Sequence, residues 1–147
     1  MSTSHDGTPM QTITPYLLCE DVAAQLDFLH RAFGFDETLR MAAEDGTVNH
    51  AEMRRGEGVI NLGAPGGDFR NPAHSGTASV LICVTVDDVD AVCERARNAG
   101  AQITEEPADQ DYGERRFAAT DPEGHQWFVA QPIRDVAPEE WGATAPG

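Results

Sequence analysis

Apolar and polar residues follow two different periods along this chain, and the same order of periods occurs twice. The first stretch, TITPYLLCED, alternates like a strand and ends at Asp21, a natural helix N-cap. In VAAQLDFLHRAFGF the residues Val22, Leu26, Leu29 and Phe33 recur at helical spacing, and Gly34 is placed to stop the helix. ETLRMAAEDGTVNHAEMRRGEGVINLG then breaks into three strand-like pieces, punctuated by Glu-Asp-Gly and Gly-Glu-Gly, with Asp45-Gly46 a strong hairpin signal. The order is β-α-β-β-β.

After a Gly/Pro-rich connector the order returns. SVLICVTVDD reads as a strand ending at the N-cap Asp88. VDAVCERARNAGA reads as a helix with the apolar stripe Val89, Val92, Cys93 and Ala96, stopped by Gly100. QITEEPADQDYGERRFAATDPEGHQWFVAQP supplies the closing strands, with an Asp121–Gly124 turn that corresponds to Gly56–Gly58. An offset of 67 positions carries Asp21 onto Asp88, Val22 onto Val89, Ala24 onto Ala91 and Leu62 onto Val129. Such a repeat means two similar units whose sheets need each other, or a partner subunit, for burial. The expected organisation is a leader at residues 1–10, a first βαβββ module at 11–63, a linker at 64–78, a second module at 79–132 and a flexible tail at 133–147, whose Trp141 is expected to dock on a surface.

Strand alternation assigns two faces to each sheet. In the second module Val80, Ile82, Val84 and Val86 form an aliphatic face suited to packing under helices, together with Trp127 and Val129. Ser79, Leu81, Cys83 and Thr85, with Gln126, Phe128 and Ala130, form a mixed face suited to a cavity, and in the first module Thr14, Tyr16 and Leu18 correspond. Phe128 is placed to stack on a planar ligand. Tyr112 reads as a pocket rim, and Arg116 as a holder of a ligand carboxylate or phosphate, or else a partner of Glu114 or Asp121.

Other candidates take plainer readings. His125, beside a turn, is read as bonding the loop backbone. His50 and Glu52 share a strand face; an H-x-E pair can ligate a metal or act as a base with its orienter, and reads more simply as a solvated face with Arg54 nearby. His30 reads as surface, and His74 sits in the connector. No nucleophile elbow and no phosphate loop is present, so no catalytic residue is assigned.

Composition narrows the partners. The chain has 147 residues, 40% hydrophobic and 24% charged, a globular balance for one ordinary domain or two small modules. A formal net charge of −15 argues against nucleic acid and anionic membranes and is compatible with a cationic or neutral small ligand. The cysteines Cys19, Cys83 and Cys93 make no C-x-x-C pair and read as buried thiols in a reducing cytoplasm. The N-terminus has no secretory pattern and no apolar run is long enough to span a membrane, so a cytoplasmic protein is expected.

ITPYLLCEDVAAQLDFLHRAFGF, HAEMRRGEGVINLG, VTVDDVDAVCERARNAGA and GERRFAATDPEGHQWF together resemble the vicinal oxygen chelate superfamily, the group of glyoxalases, bleomycin-resistance proteins and extradiol dioxygenases, in its PhnB-like or bleomycin-resistance-like branch. The likeness runs from residue 11 to 132. It implies an α+β fold of paired βαβββ modules whose curved mixed sheets surround a cavity, usually completed within a homodimer.

Enzymes of that group hold a divalent metal through four side chains, one from the first and one from the last strand of each module. By the likeness these fall on Thr14, Asn61, Leu81 and Phe128, which are not usual ligands for zinc or iron. The resemblance therefore implies a metal-free member without cofactor, binding a small aromatic or cationic molecule such as an antibiotic. Its candidate ligand-binding residues are Thr14, Tyr16, Asn61, Leu81, Cys83, Tyr112, Arg116, Gln126 and Phe128. The alternative is a metal-dependent lyase, isomerase or dioxygenase in which His50, Glu52 and His125 converge on an unconventional site.

Overall fold

The computed structural model describes residues 11–146; the expected leader at 1–10 lies outside the described residues. The elements are β1 (Tyr16–Leu18), α1 (Val22–Phe33), β2 (Asp36–Ala42), β3 (Val48–Arg55), β4 (Gly58–Gly63), α2 (Pro72–Ser75), β5 (Leu81–Thr85), α3 (Val89–Ala99), β6 (Gln102–Asp109), β7 (Glu114–Thr120) and β8 (Gln126–Pro132), followed by a 3-10 turn at Pro138–Trp141. They build two mixed sheets, ordered β1-β4-β3-β2 and β5-β8-β7-β6, each with its first and last strands parallel and the rest antiparallel. The 67-residue offset survives into the register: Tyr16 faces Asn61, and Cys83 faces Phe128.

Local signals explain the helices. Asp21 accepts from the Ala24 amide at 3.0 Å and Asp88 from the Ala91 amide at 3.2 Å, satisfying donors that a helix start leaves open. Gly34 and Gly100 close them in the left-handed conformation. The stripe of α3 is buried as its spacing predicts. That of α1 is wider, adding Gln25, Phe28 and Ala32: Gln25 bonds Asp121 of the other module, and Phe28 packs edge-on against Phe33, which lies on Trp127. Asp45 and Gly46 make the β2–β3 hairpin, with the Ala43 amide donating to the Thr47 carbonyl at 2.8 Å.

The core is continuous across both modules. Phe33 and Phe35 lie against the Trp127 ring at centroid distances of 4.9 and 5.9 Å, and Trp127 is 1% exposed. With α1 and α3 packed together and both sheets contributing to this core, each sheet keeps one open face. Those open faces carry the mixed residues that the alternation assigns to a cavity.

Several details differ from expectation. The first strand is only three residues long; ahead of it the Gln11 side chain bonds the Val59 amide (2.7 Å) and carbonyl (2.9 Å), standing in for a ladder that Pro15, without an N–H, does not extend. Val80 is 73% exposed instead of packing under a helix, because β5 begins one residue later. Cys19 and Cys93 are buried, but Cys83 lies on the open face and is exposed. The connector contains the one-turn α2.

Two carboxylates in the β7–β8 turn bolt the modules together. Asp121 accepts from the Gln25 amide group of α1 (2.8 Å) and the Trp127 indole (2.8 Å) with one oxygen, and from the Glu123 and His125 amides (2.9 and 3.0 Å) with the other. Glu123 accepts from the Glu20 and Asp21 amides at the start of α1 (2.8 and 3.0 Å) and from the Asn71 side chain. Gly124, at φ +88°, is pressed so closely on α2 that a Cβ there would meet the Ala73 nitrogen at 2.4 Å.

Removing the Asp121 carboxylate strands several buried donors, whereas removing Asp88 loses one exposed cap. Asp121→Ala is therefore expected to cost about 3 kcal/mol or more and Asp88→Ala about 1 kcal/mol. Urea unfolding monitored by circular dichroism measures both; equal losses would contradict the inter-module role of Asp121.

Candidate ligand-binding site

Phe128 stands in the middle of the open face of the second sheet, with Cys83 opposite it on β5 and Ala118 on β7. The Arg116 guanidinium carbon lies 3.9 Å from the centre of the Phe128 ring. Arg116 Nη1 donates to the Tyr112 hydroxyl at 2.7 Å and Nη2 lies 3.7 Å from Glu105, so the carboxylate beside it is neither Glu114 nor Asp121, the two partners that sequence offers as the alternative to a ligand anion. Both of those carboxylates sit elsewhere: Glu114 begins β7, and Asp121 is buried in the turn. Trp141 of the 3-10 turn meets Tyr112 edge-on at 5.6 Å. An arginine over a ring at this distance gains a cation–π contact while its N–H groups remain able to donate hydrogen bonds.

The open face of the first sheet carries different chemistry. Register puts Tyr16, Asn61, Glu52 and Leu39 in one row, with Gly63, His50 and Met41 in the next. The Tyr16 hydroxyl lies 3.0 Å from His50 Nδ1, and His50 Nε2 lies 3.6 Å from Glu52. His50 and Glu52 are 24% and 22% exposed, so they do not form the solvated face expected from sequence; the Tyr16 ring partly covers the histidine.

Between the edges of β1 and β5 lies a cleft of about 690 Å³, lined by Tyr16, Leu18, Arg70, Leu81, Cys83 and Gln126 among others. A shallower hollow of about 290 Å³ holds Leu81, Glu105, Ala118, Gln126 and Phe128. The nine candidates thus fall into groups. Tyr16, Leu81, Cys83 and Gln126 share the cleft, and Leu81 and Gln126 continue to Phe128. Arg116 and Tyr112 extend the site beyond Phe128. Asn61 is beside Tyr16, and Thr14 lies before β1, reached by the Gln11 side chain at 3.4 Å.

His125 does not join His50 and Glu52. Its Nε2 is within 2.8 Å of the Leu18 carbonyl, and its amide is held by Asp121. Among the described residues no three His, Cys, Asp or Glu side chains form a group able to hold a metal ion. Sequence reasoning gave no role to Arg70 or to Gly63, although a glycine inside a strand is a sign of close approach.

The profile of the Glyoxalase/Bleomycin resistance protein/Dioxygenase superfamily matches residues 11–129. The chain belongs to this superfamily. An uncharacterized Mycobacterium tuberculosis protein, Rv0887c, is 36% identical over 133 residues, covering 87% of this chain and 78% of its own. TioX from Micromonospora sp. ML1 has the same fold with a TM-score of 0.67 and 29% identity, over 86% of this chain and all (100%) of TioX. TnmS3 of Streptomyces sp. CB03234, an antibiotic binding protein, superposes with a TM-score of 0.59 at 20% identity, over 84% of this chain and 99% of its own. No helix among the described residues of this superfamily member is long and apolar enough to cross a membrane.

The thiols of this member differ sharply. Burial, reinforced by the Glu123 and Asp121 carboxylates, pushes the Cys19 thiol well above its ordinary range, and burial also raises Cys93. Cys83 opens on the cleft. Iodoacetamide on the native protein is expected to label Cys83 alone of the three cysteines, with all three labelled in urea; peptide mass spectrometry reads the result.

Proposed function

We propose that this protein is a metal-free binding protein that captures a planar natural product of the antibiotic type on the Arg116–Phe128 platform. One observation carries the reading: Phe128, overlain by the Arg116 guanidinium at 3.9 Å, stands where the superfamily's enzymes carry a metal-binding carboxylate or imidazole. The donor chemistry supports it. Of the four ligand positions, Leu81 and Phe128 are hydrocarbon and offer no lone pair, and Thr14 and Asn61 are poor partners for zinc or iron. These residues do not fit a divalent ion.

The kinship with TnmS3 supports an antibiotic as the class of ligand, through the fold alone. An aromatic system stacks on the guanidinium plane, and cationic substituents suit a chain of net charge −15. Capture needs no turnover: with free protein well above Kd, nearly all the ligand is held.

The binding cavity is completed by a second copy of the chain. In one chain the open faces leave Tyr16 51%, Met41 59% and Leu81 42% exposed, and a homodimer that sets one open face against another encloses them. The site of action is the cytoplasm.

A thermal-shift screen of planar antibiotics is expected to yield a hit whose affinity, measured by calorimetry, is unchanged by EDTA. Arg116→Ala and Phe128→Ala should each weaken that hit by about tenfold or more. Sedimentation is expected to give twice the 15.9 kDa chain mass. Stoichiometric zinc, manganese, iron or nickel in the purified protein, or binding that requires it, would overturn the reading.

A further inference from the structure

We propose that the cleft between the edges of β1 and β5 is a second binding site, for an apolar monocarboxylate whose head group is held by Arg70. It lies apart from the Arg116–Phe128 platform and does not call for an aromatic ligand.

The cleft is opposite in charge to the chain. The protein carries 25 acidic residues against ten basic ones, a net charge of −15. Among the described residues no Asp or Glu lines this cleft of about 690 Å³, and Arg70 is its one permanently charged wall residue. Charges elsewhere on the surface are screened over about 8 Å at physiological ionic strength, so the lining decides which ligand charge is accepted. Much of the remaining wall is hydrocarbon, including Pro15, Leu18, Pro72, Val80 and Leu81. Val80 and Leu81 are 73% and 42% exposed, apolar surface that the body of such a ligand covers. A concavity of this size, with apolar walls and few polar groups, has the ordinary form of a small-molecule site.

The guanidinium is available to a ligand. Arg31, Arg40, Arg97, Arg115 and Arg116 each lie beside a carboxylate. Arg70 does not. Its Nη1 donates to the Gly67 and Phe69 carbonyls of its own loop at 2.9 and 2.7 Å, and Nε and Nη2 have no partner among the described residues. The N–H groups of a guanidinium form a fork that meets a carboxylate with two parallel bonds. One arginine balances one negative charge, which suits a carboxylate better than a phosphate ester carrying close to two.

The loop that carries Arg70 is pinned, although its composition reads as a linker. Asn71, 1% exposed, donates through its side chain to Glu123, and the Ala73 amide donates to the Glu123 carbonyl at 3.0 Å. These bonds hold α2 on the β7–β8 turn, so Pro72, Ser75, Thr77 and Ala78 stand as one wall of the cleft. The backbone beside Arg70 is therefore already ordered. Binding asks only that the guanidinium turn from loop carbonyls to a carboxylate.

Calorimetry on the full-length protein with decanoate, decan-1-ol, decylammonium and decyl phosphate tests this. Decanoate is expected to bind about tenfold more tightly than each of the other three. Arg70→Met should weaken decanoate by about tenfold and leave decan-1-ol within about twofold, and Arg70→Lys should restore part of the loss. Thr77→Asp, which puts an acid into the wall, should weaken decanoate as well. Saturating decanoate should slow iodoacetamide alkylation of Cys83, which lines the same cleft, by about fivefold or more. Decanoate bound no tighter than any one of the other probes overturns the proposal. So does an affinity unchanged in Arg70→Met, or Cys83 alkylated at its free rate. Arg116→Ala and Phe128→Ala should leave decanoate within about twofold; loss of decanoate in either would put it on the platform and overturn the second site. Antibiotic capture is read through those two variants and carboxylate binding through Arg70, so either can fail alone.

Discussion

The interaction on which the rest of this structure depends is the acceptance of hydrogen bonds by two buried carboxylates, Asp121 and Glu123. A buried carboxylate is tolerable only when its lone pairs are met by donors. Here the donors come from both modules: the indole of Trp127 and two turn amides on one side, Gln25 and the first amides of the α1 segment on the other. The start of a helix carries partial positive charge, so Glu123 meets a favourable field as well as N–H groups. Directional bonds of this kind fix the relative orientation of the two modules more tightly than apolar burial, which is not directional.

With the modules locked, duplication and divergence can be compared position by position. Register places Tyr16, Asn61, Gly63, His50 and Glu52 of the first sheet where the second has Cys83, Phe128, Ala130, Arg116 and Ala118. One backbone thus carries two chemistries. In the first sheet a glycine lets a phenol lie flat and reach an imidazole backed by a carboxylate. In the second the equivalent position has a methyl group and the strand opposite has only a short thiol, while the imidazole's counterpart is a guanidinium stacked on a ring. Neither pattern, among the described residues, gathers three His, Cys, Asp or Glu side chains into one group.

The repeat was legible in the sequence because its markers are local. Asp21 and Asp88 cap their own helices, Gly34 and Gly100 end them, and Asp45-Gly46 turns the chain with no help from distant residues. Burial of Trp127 followed from simple alternation. What alternation does not carry is lateral contact. That Tyr16 touches His50 depends on a parallel pairing, an antiparallel pairing and the missing Cβ of Gly63 all at once. That Arg116 chooses Phe128, Tyr112 and Glu105 over nearer carboxylates depends on which face β7 turns outward. Strand ends were likewise set by context: Pro15 shortens β1, and Val80 falls just beyond the helix-covered part of β5.

The lock and the first open face meet on β1. Leu18, at its end, is held through its carbonyl by His125, whose amide is itself held by Asp121. Two residues earlier on the same three-residue strand stands Tyr16. A strand this short has few ladder bonds of its own, so its position rests on Gly63 and Asn61 alongside and on the β7–β8 turn at its end. The phenol's reach to His50 therefore depends on a turn in the other module. His125, which its place beside a turn marks as a residue that bonds backbone, puts a ring nitrogen on the Leu18 carbonyl of the other module and so holds in place the strand from which Tyr16 projects.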